Sequence, residues 1–467
     1  MTKLLKPIRY LSALGLLMIS QPIWSYDLMQ AYQDALLNDA QLNSSRAALE
    51  ASRQQVPQAR AGLRPSLSAS AGVNRNWSNP NISPSTQYTS QTYGIGLNYP
   101  LYRPQNLAAF DQSKLALNIS EAQFGNARQD LILRVAQAYF DVLAAKDDLT
   151  TVRSQKTAIA EQLAAAKRNF EVGTATVTDQ QEAQARFDLT AAQEVASENA
   201  LAVRLSALGL LTGKPVNNTA NLRAGVSLST PEPAVESIWT ERAREGNFSV
   251  IQAQISTELA RREIDRQRYG RYPTLDVTGN LSHNRNASSS LVGISSNNAG
   301  LGLQLSVPIY SGGAITARIR EAAANLDKAN ADLEVARRAA EQATRVAYLG
   351  LVSGLGQVTA LEAAEKSSRL ALDSNRLGYQ VGVRINVDVL NAQQQLFSTQ
   401  RDLARARYDV LVNGLRLKAS TGALEETDLR SIGALLTTVE QSSSQPAAAP
   451  AGPTTAKPQP VQLPGTR

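Results

Sequence analysis

The sequence predicts an α+β membrane protein in which a long antiparallel α-helical coiled-coil tube is joined to a transmembrane β-barrel shared between chains. Three observations predict it: an internal repeat, two long proline-free stretches of helical periodicity, and four segments that alternate apolar with small or polar residues. Of the 467 residues only 5% are aromatic, a composition that suits long helices with narrow seams better than a single globular core.

The composition also excludes several classes of function. A chain without Cys has no disulfide, thiolate metal site or cysteine nucleophile. Its single histidine, His283, excludes paired-His metal motifs and disfavours a Ser-His-Asp enzyme. The net charge of +7 is not gathered into a basic stripe interleaved with aromatic residues, so no nucleic-acid partner is expected. We therefore predict neither an enzyme nor a cofactor.

Residues 1–25 are predicted to be a signal peptide. Lys3, Lys6 and Arg9 precede an apolar run over residues 10–19, which is followed by a plausible cleavage position after Ser25. The run is shorter than the roughly 20 residues that a helix needs to span a bilayer. We expect an exported chain that can enter a membrane only as strands.

The mature chain consists of two copies of one design. The segment Arg64-Pro65-Ser66-Leu67 is echoed 208 residues later by Tyr272-Pro273-Thr274-Leu275, and Val172-Gly173 is echoed 209 residues later by Val381-Gly382. The predicted divisions are a first repeat over 26–213, a linker over 214–233, a second repeat over 234–422, an equatorial segment over 423–440 and a disordered, proline-rich tail over 441–467.

Each repeat is predicted to contain one long helix and two short ones. No proline occurs between Pro104 and Pro215 or between Pro308 and Pro446. Two adjacent apolar stripes in the first stretch indicate a helix packed on both sides, as in the wall of a tube. In each repeat the short helices together match the length of the long one, which implies an even wall. The predicted helices cover 27–62, 105–172, 178–213, 234–270, 311–381 and 388–422.

The four period-two segments are predicted to be membrane strands, over 64–77, 91–102, 272–284 and 299–310. Each has one apolar face and one small or polar face, with a tyrosine, or Trp77 in the first segment, near an end. Four strands cannot close a barrel, because spanning barrels begin at about eight strands. Two chains would supply eight strands and three would supply twelve. The polar loops over 79–90 and 285–298 are expected to face outward.

The opening Asp27-Leu28-Met29-Gln30-Ala31-Tyr32, the junction at 308–313 and the run over 382–393 resemble the TolC family of outer-membrane channels. The resemblance covers nearly the whole mature chain up to about residue 430. It implies a homotrimer in the outer membrane, with one shared barrel and a large periplasmic tunnel. The implied partners are outer-membrane lipid, a periplasmic adaptor (membrane fusion protein) and an inner-membrane pump, either an ABC exporter or a proton-driven pump.

Two uses of such a channel compete. Many drug-efflux channels are acylated on an amino-terminal Cys, which this chain lacks, and the run over 387–395 is more similar to channels of type I protein secretion. We favour type I secretion, with drug efflux as a second use. A trimeric coiled-coil adhesin or stalk without a channel is the alternative from a different class, and a soluble adaptor is a weaker one.

The resemblance also implies a gate and a pore constriction. Thr178, Asp179, Tyr379 and Arg384 occupy positions that close the helical tips in the family, and Asp388 would form a ring of three carboxylates in a trimer. Asn391 stands where some relatives carry a second acid, which weakens the case for a six-charge constriction. The plainer interpretation is that these are solvated tip residues.

Overall fold

The computed structural model describes residues 26–437, with gaps at residues 80, 83–84, 224 and 289–290. The predicted signal peptide and the predicted tail lie outside the described residues. The helices are α1 (Leu28–Asn38), α2 (Ala40–Ala61), α3 (Pro104–Glu171), α4 (Val177–Thr212), α5 (Glu236–Gly246), α6 (Phe248–Arg268), α7 (Ala314–Gln380), α8 (Asn386–Ser420) and α9 (Glu426–Gly433). The strands are β1 (Ser66–Ser78), β2 (Thr86–Tyr102), β3 (Asn221–Leu222), β4 (Thr274–Ser288), β5 (Leu291–Ser306) and β6 (Leu436–Thr437).

The first short helix of each repeat is broken, whereas the sequence predicted continuous helices over 27–62 and 234–270. Asp39 is extended, with φ −64° and ψ 117°, and its carboxylate accepts a hydrogen bond from the amide of Leu42 at 2.7 Å. Asn247, at the equivalent position, accepts from the amide of Ser249 at 2.9 Å. In both repeats a polar side chain ends one helix and caps the next.

The strands also differ from their predicted bounds. The loop predicted over 285–298 is mostly strand, because β4 continues to Ser288 and β5 begins at Leu291. The loop predicted over 79–90 is strand only from Thr86, where β2 begins. Backbone pairing continues beyond the apolar band wherever the residues fit a strand. At the other end, 307–310 lie outside β5. The predicted linker and equatorial segment are not plain connections, since they supply β3, α9 and β6, and β3 pairs with β6.

One antiparallel sheet in the order β1-β2-β4-β5 joins the two repeats. Its register brings the apolar residues to one face: Ile95 of β2 pairs with Ala69 of β1 and Leu281 of β4, and Leu281 pairs with Ala299 of β5. The opposite face carries mostly Ser, Gly, Asn and Thr. The outer edges of β1 and β5 remain without a strand partner in the described chain.

The helical wall is built around α3. This helix contacts α2 and α4 of its own repeat and α6 and α8 of the other, whereas the main contacts of α7 are to α5, α6 and α8 of its own repeat. Halfway along the wall, Tyr139 and Phe140 of α3 are buried with Tyr32 of α1, and Phe140 stacks on Tyr408 of α8 at 5.7 Å. This core fixes the helices well away from their tips.

We expect the break at Asp39 to stabilise the fold through both its cap and its ion pair. Arg134 of α3 donates to the two carboxylate oxygens at 2.7 and 3.1 Å. Replacing Asp39 with Ala should lower the free energy of unfolding by about 1–3 kcal/mol, and Asp39→Asn by less, since Asn still caps. Chemical denaturation of the purified protein in detergent measures both, and equal losses would show that the cap contributes nothing.

The same contact predicts a dependence on pH. Hydrogen bonding from Arg134 holds the pKa of Asp39 below its usual range, against the effect of burial. Its contribution is therefore fully present above the unfolded pKa of about 3.9 and lost as the pH falls through the lower folded value. The difference in stability between the wild type and Asp39→Asn should shrink only below about pH 4. A difference that shrinks near neutral pH would contradict this assignment.

Candidate gate and pore at the helical tips

The two long helices end in the same turn. After α3, Gly173 has φ 79° and the amide of Thr174 donates to the carbonyl of Asn169 at 2.8 Å. After α7, Gly382 has φ 77° and the amide of Val383 donates to the carbonyl of Gly378 at 2.8 Å. A left-handed backbone strongly favours glycine, so both repeats place one just beyond the helix.

The carboxylate of Asp179 makes its hydrogen bonds at the start of its own helix. Its carboxylate accepts from the amide and the hydroxyl of Thr176 at 3.0 and 2.7 Å, and the Thr176 hydroxyl accepts from the amide of Asp179 at 3.2 Å. This capping box begins α4. The adjacent Thr178 is exposed and has no hydrogen-bond partner among the described residues.

Tyr379 joins the two tips of one chain. Its hydroxyl accepts a hydrogen bond from the carboxamide of Asn169 on α3 at 3.2 Å. Its ring packs against the cluster formed by Leu372, Val389 and Leu396. The predicted gate residue therefore connects α3, α7 and α8 at the tip of the helical wall.

Arg384 and Asp388 form a pair within one chain. The nearest guanidinium nitrogen and carboxylate oxygen are 3.6 Å apart, and the two side chains are 59% and 33% exposed. Such an exposed pair contributes little to stability, about 0–1 kcal/mol. Arg384 also lies over Gly378, where an added Cβ would be 2.7 Å from its Cγ. Because Gly378 has no side chain, the side chain of Arg384 can pack directly over its backbone.

Asn391, the second predicted constriction residue, links two helices in this chain. Its carboxamide oxygen accepts from Arg186 of α4 at 3.1 Å, and Gln394 accepts from the same guanidinium at 2.6 Å. The structure therefore brings Tyr379, Arg384 and Asp388 to one tip, with Asn391 one turn further along α8. It does not bring the Asp179 side chain to Tyr379 or Arg384 in this chain.

Asn386 was missed by the sequence analysis. It is 2% exposed, its oxygen accepts from Gln162 of α3, and its amide donates to the carbonyl of Asp179 at 3.5 Å. It joins the starts of α4 and α8 to the long helix α3. The equivalent position in the first repeat is Val177. This replacement of an apolar residue by a polar one between the two repeats could have drawn attention to Asn386. Among the described residues no cluster of three or more His, Asp or Glu could hold a metal ion.

Comparison with known proteins identifies the family. The family described as outer membrane efflux protein matches residues 31–214 and 239–423. Outer membrane protein TolC of Vibrio cholerae is 33% identical over 92% of this chain and 98% of its own length. Alkaline protease secretion protein AprF of Pseudomonas aeruginosa is 29% identical over 90% of this chain and 89% of its own length.

Solved structures agree in fold. The CmeC outer membrane channel of Campylobacter jejuni has a TM-score of 0.74 at 17% identity and covers 93% of this chain and 97% of its own. CusC has the same TM-score at 19% identity, over 85% of this chain and 92% of its own. These matches confirm the predicted helical tube on a β-barrel domain, the outer-membrane location with its large periplasmic portion, and the absence of an enzymatic function. The chain belongs to the outer membrane efflux protein family and is an outer-membrane exit channel for type I secretion or efflux.

Proposed function

We propose that this channel is a homotrimer that serves type I protein secretion, with drug efflux as a second use. In this assembly it receives cargo from an inner-membrane ABC exporter, or from a proton-driven pump, through a periplasmic adaptor. The single observation that carries the proposal of a shared channel is the sheet with two open edges. In a bilayer no water is present to pair with the backbone groups of an open edge.

The open edges fit one another. Strands β1 and β5 run in opposite directions, so β5 of one copy can pair antiparallel with β1 of the next, as β2 pairs with β4 inside the chain. Three copies give the twelve strands that the family resemblance implies. A trimeric adhesin or stalk would not need two hairpins inserted between antiparallel helices.

The internal repeat also predicts the contacts between helices of neighbouring copies. Inside the chain α3 contacts α6 and α8, so α7 should contact α2 and α4 of the neighbour. On α7 an 18-residue stretch is apolar enough to cross a membrane by composition, yet only 11% of it is buried. A neighbouring copy would cover this surface. The large exposed apolar residues are Val335, Val346, Leu349, Val352, Leu370 and Leu377 on α7, and Val177, Leu189, Val195, Val203 and Leu210 on α4.

One hydrogen bond within the chain has an equivalent that could form between neighbouring copies. Within the chain Gln112 of α3 donates to Glu263 of α6 at 2.8 Å. The equivalent positions hold Glu321 of α7 and Gln55 of α2, with donor and acceptor exchanged. Across the interface, Gln55 of the partner subunit would donate to Glu321. The same carboxylate–carboxamide contact would then recur at both kinds of junction in the ring.

Protein cargo is supported by the run over 387–395 and by the likeness to a protease secretion protein. Deleting the gene should leave a large secreted polypeptide inside the cell, because the exporter loses its exit. Comparing the secreted proteins and the drug sensitivity of the deletion strain with those of the complemented strain measures this. Unchanged secretion with lost drug resistance would contradict the assignment to secretion and favour efflux.

The gate is proposed at Thr178, Asp179, Tyr379 and Arg384. Tyr379 acts through its contact with Asn169, and Arg384 through its pair with Asp388. Asp179 caps the start of α4 together with Thr176, the exposed Thr178 lies beside it, and the backbone there is tied to α8 by Asn386. Exposed pairs contribute about 0.2–1 kcal/mol each. Repeated in three chains they total up to about 3 kcal/mol, about a hundredfold in the ratio of closed to open tips.

Removing both contacts should open the tip. We expect Arg384→Ser combined with Tyr379→Phe to raise single-channel conductance in planar bilayers, and more so at high salt, where the remaining pairs are screened. Arg376→Ser is the matched control, because Arg376 is exposed on α7 without an ion-pair partner among the described residues. If the double variant conducts like the control, the gate lies elsewhere.

Asp388 is proposed as the pore constriction. Asp388→Ala should lower cation selectivity because it removes three charges from the pore, whereas Arg384→Ser alone should raise it by releasing Asp388 from its pair. Asn391→Asp should also raise it by adding a second ring of charge. Reversal potentials in a salt gradient measure the selectivity, with the exposed Asp373→Ala as control. Unchanged reversal potentials in all three variants would place the constriction elsewhere.

A further inference from the structure

The outer half of the sheet carries positive charge without negative charge. The only carboxylate on β1, β2, β4 and β5 is Asp276, near the end of β4 that adjoins the helices. It is buried and accepts two hydrogen bonds from Arg103, each of 2.8 Å. The far end of the sheet, where the hairpins turn, therefore has cations that no acidic residue of these strands neutralises.

The basic residues at this end stand on the apolar face of the sheet. Counting by two along β1 from Leu67 reaches Arg75, and counting by two along β4 from Leu275 reaches His283 and Arg285. The register supports this: Thr89 of β2 pairs with Arg75, and Gln91, two residues further along β2, pairs with Arg285. Both residues of β2 share a face with Ile95. The side chains of Arg75, His283 and Arg285 therefore point away from the lumen, and cargo in the channel would not contact them.

Arg75 and Arg285 are available for an external anion. Both are exposed, and neither has an ion-pair partner among the described residues. They lie on strands separated by β2, and their partners on β2 are two residues apart, so about 12 Å separates their backbones. His283 stands at the position equivalent to Arg75 in the other repeat. In a trimer, Arg75 and His283 would alternate around the rim.

Two aromatic rings complete the surface. Tyr93 is 50% exposed and stacks on His283 with ring centroids 6.4 Å apart, and Trp77 is 68% exposed on β1. On the same face, Trp77 lies outward of Val73 on β1, and Tyr93 lies one pair outward of the Ile95–Leu281 pair. Amphipathic rings of this kind lie at the level of lipid headgroups. Along this face, the apolar residues would therefore contact lipid acyl chains, and the aromatic and basic residues further out would contact lipid headgroups.

We propose that Arg75, Arg285 and His283, with Trp77 and Tyr93, bind a phosphorylated glycolipid of the lipid A type in the outer leaflet. Guanidinium groups bind phosphate through paired, charge-assisted hydrogen bonds. Two such groups on long side chains, with backbones about 12 Å apart, suit a disaccharide with one phosphate at each end. The inference rests on the outer-membrane placement of the strands, with the helices in the periplasm, and not on the cargo or the gate.

The test is retention of lipid by the purified full chain in detergent. Native mass spectrometry would count bound bisphosphorylated lipid A, monophosphorylated lipid A and phosphatidylglycerol on the wild type and on Arg75→Gln combined with Arg285→Gln. The matched control is Arg64→Gln combined with Arg318→Gln, two exposed arginines at the helical end of the sheet. We expect bisphosphorylated lipid A to bind most tightly and the outer double variant to bind it at least about tenfold more weakly, with the control unchanged.

Three results would overturn the proposal: equal retention by the outer double variant, an equal loss in the control, or phosphatidylglycerol bound as tightly as bisphosphorylated lipid A. Conductance in bilayers without lipid A separates this inference from the proposed function. A variant that conducts normally but fails to bind lipid A supports the inference, and a wild type that conducts but binds none refutes the inference alone. If the double variant does not assemble, Arg75→Lys and Arg285→Lys, which keep the charge but lose the paired geometry, should still bind more weakly, and undiminished binding in both would refute it.

Discussion

The need to pair every backbone group inside the bilayer determines the rest of this structure. Four strands leave two open edges, so the sheet is complete only when copies are joined. The internal repeat provides a model for that joining. The β2–β4 pairing within one chain has the same arrangement that a β5–β1 pairing between chains would have. The helices are incomplete in a similar way. Helix α3 packs against helices of both repeats, whereas α7 packs mainly against helices of its own repeat.

The two repeats share a backbone but only some of its side-chain contacts. Gln162 and Asn386 meet between α3 and α8, but their equivalents are Ala371 and Val177. The ion pair of Arg103 and Asp276 likewise has Ser311 and Ser68 as its equivalents. Junctions inside a chain and between chains would therefore have similar geometry and different strength. Three of the six junctions in a trimeric ring would be polar and three would be weaker or more apolar.

Periodicity predicted most of the fold because helices and strands of this length repeat their signals many times. The breaks at Asp39 and Asn247 were not predictable in the same way, since one polar residue in a helical pattern is usually solvated, and only the capping geometry shows its role. At the tips, the family resemblance supplied Tyr379 and Arg384, but their partners could not be read from the sequence. Asn169 and Gly378 matter through contacts formed between separate segments of the chain.

The position of the stable core limits where the tunnel can move. Midway along the wall Tyr408 donates to Asp147 at 2.6 Å, and burial raises the pKa of Asp147 although this bond and Lys146 partly oppose it. A buried polar contact of this kind is costly to break. At the tip the pair of Arg384 and Asp388 is exposed and weak. Under the proposed gate, an adaptor that binds near the tips would need to supply only a few kcal/mol there, while the buried contacts hold the middle of the helical wall in place.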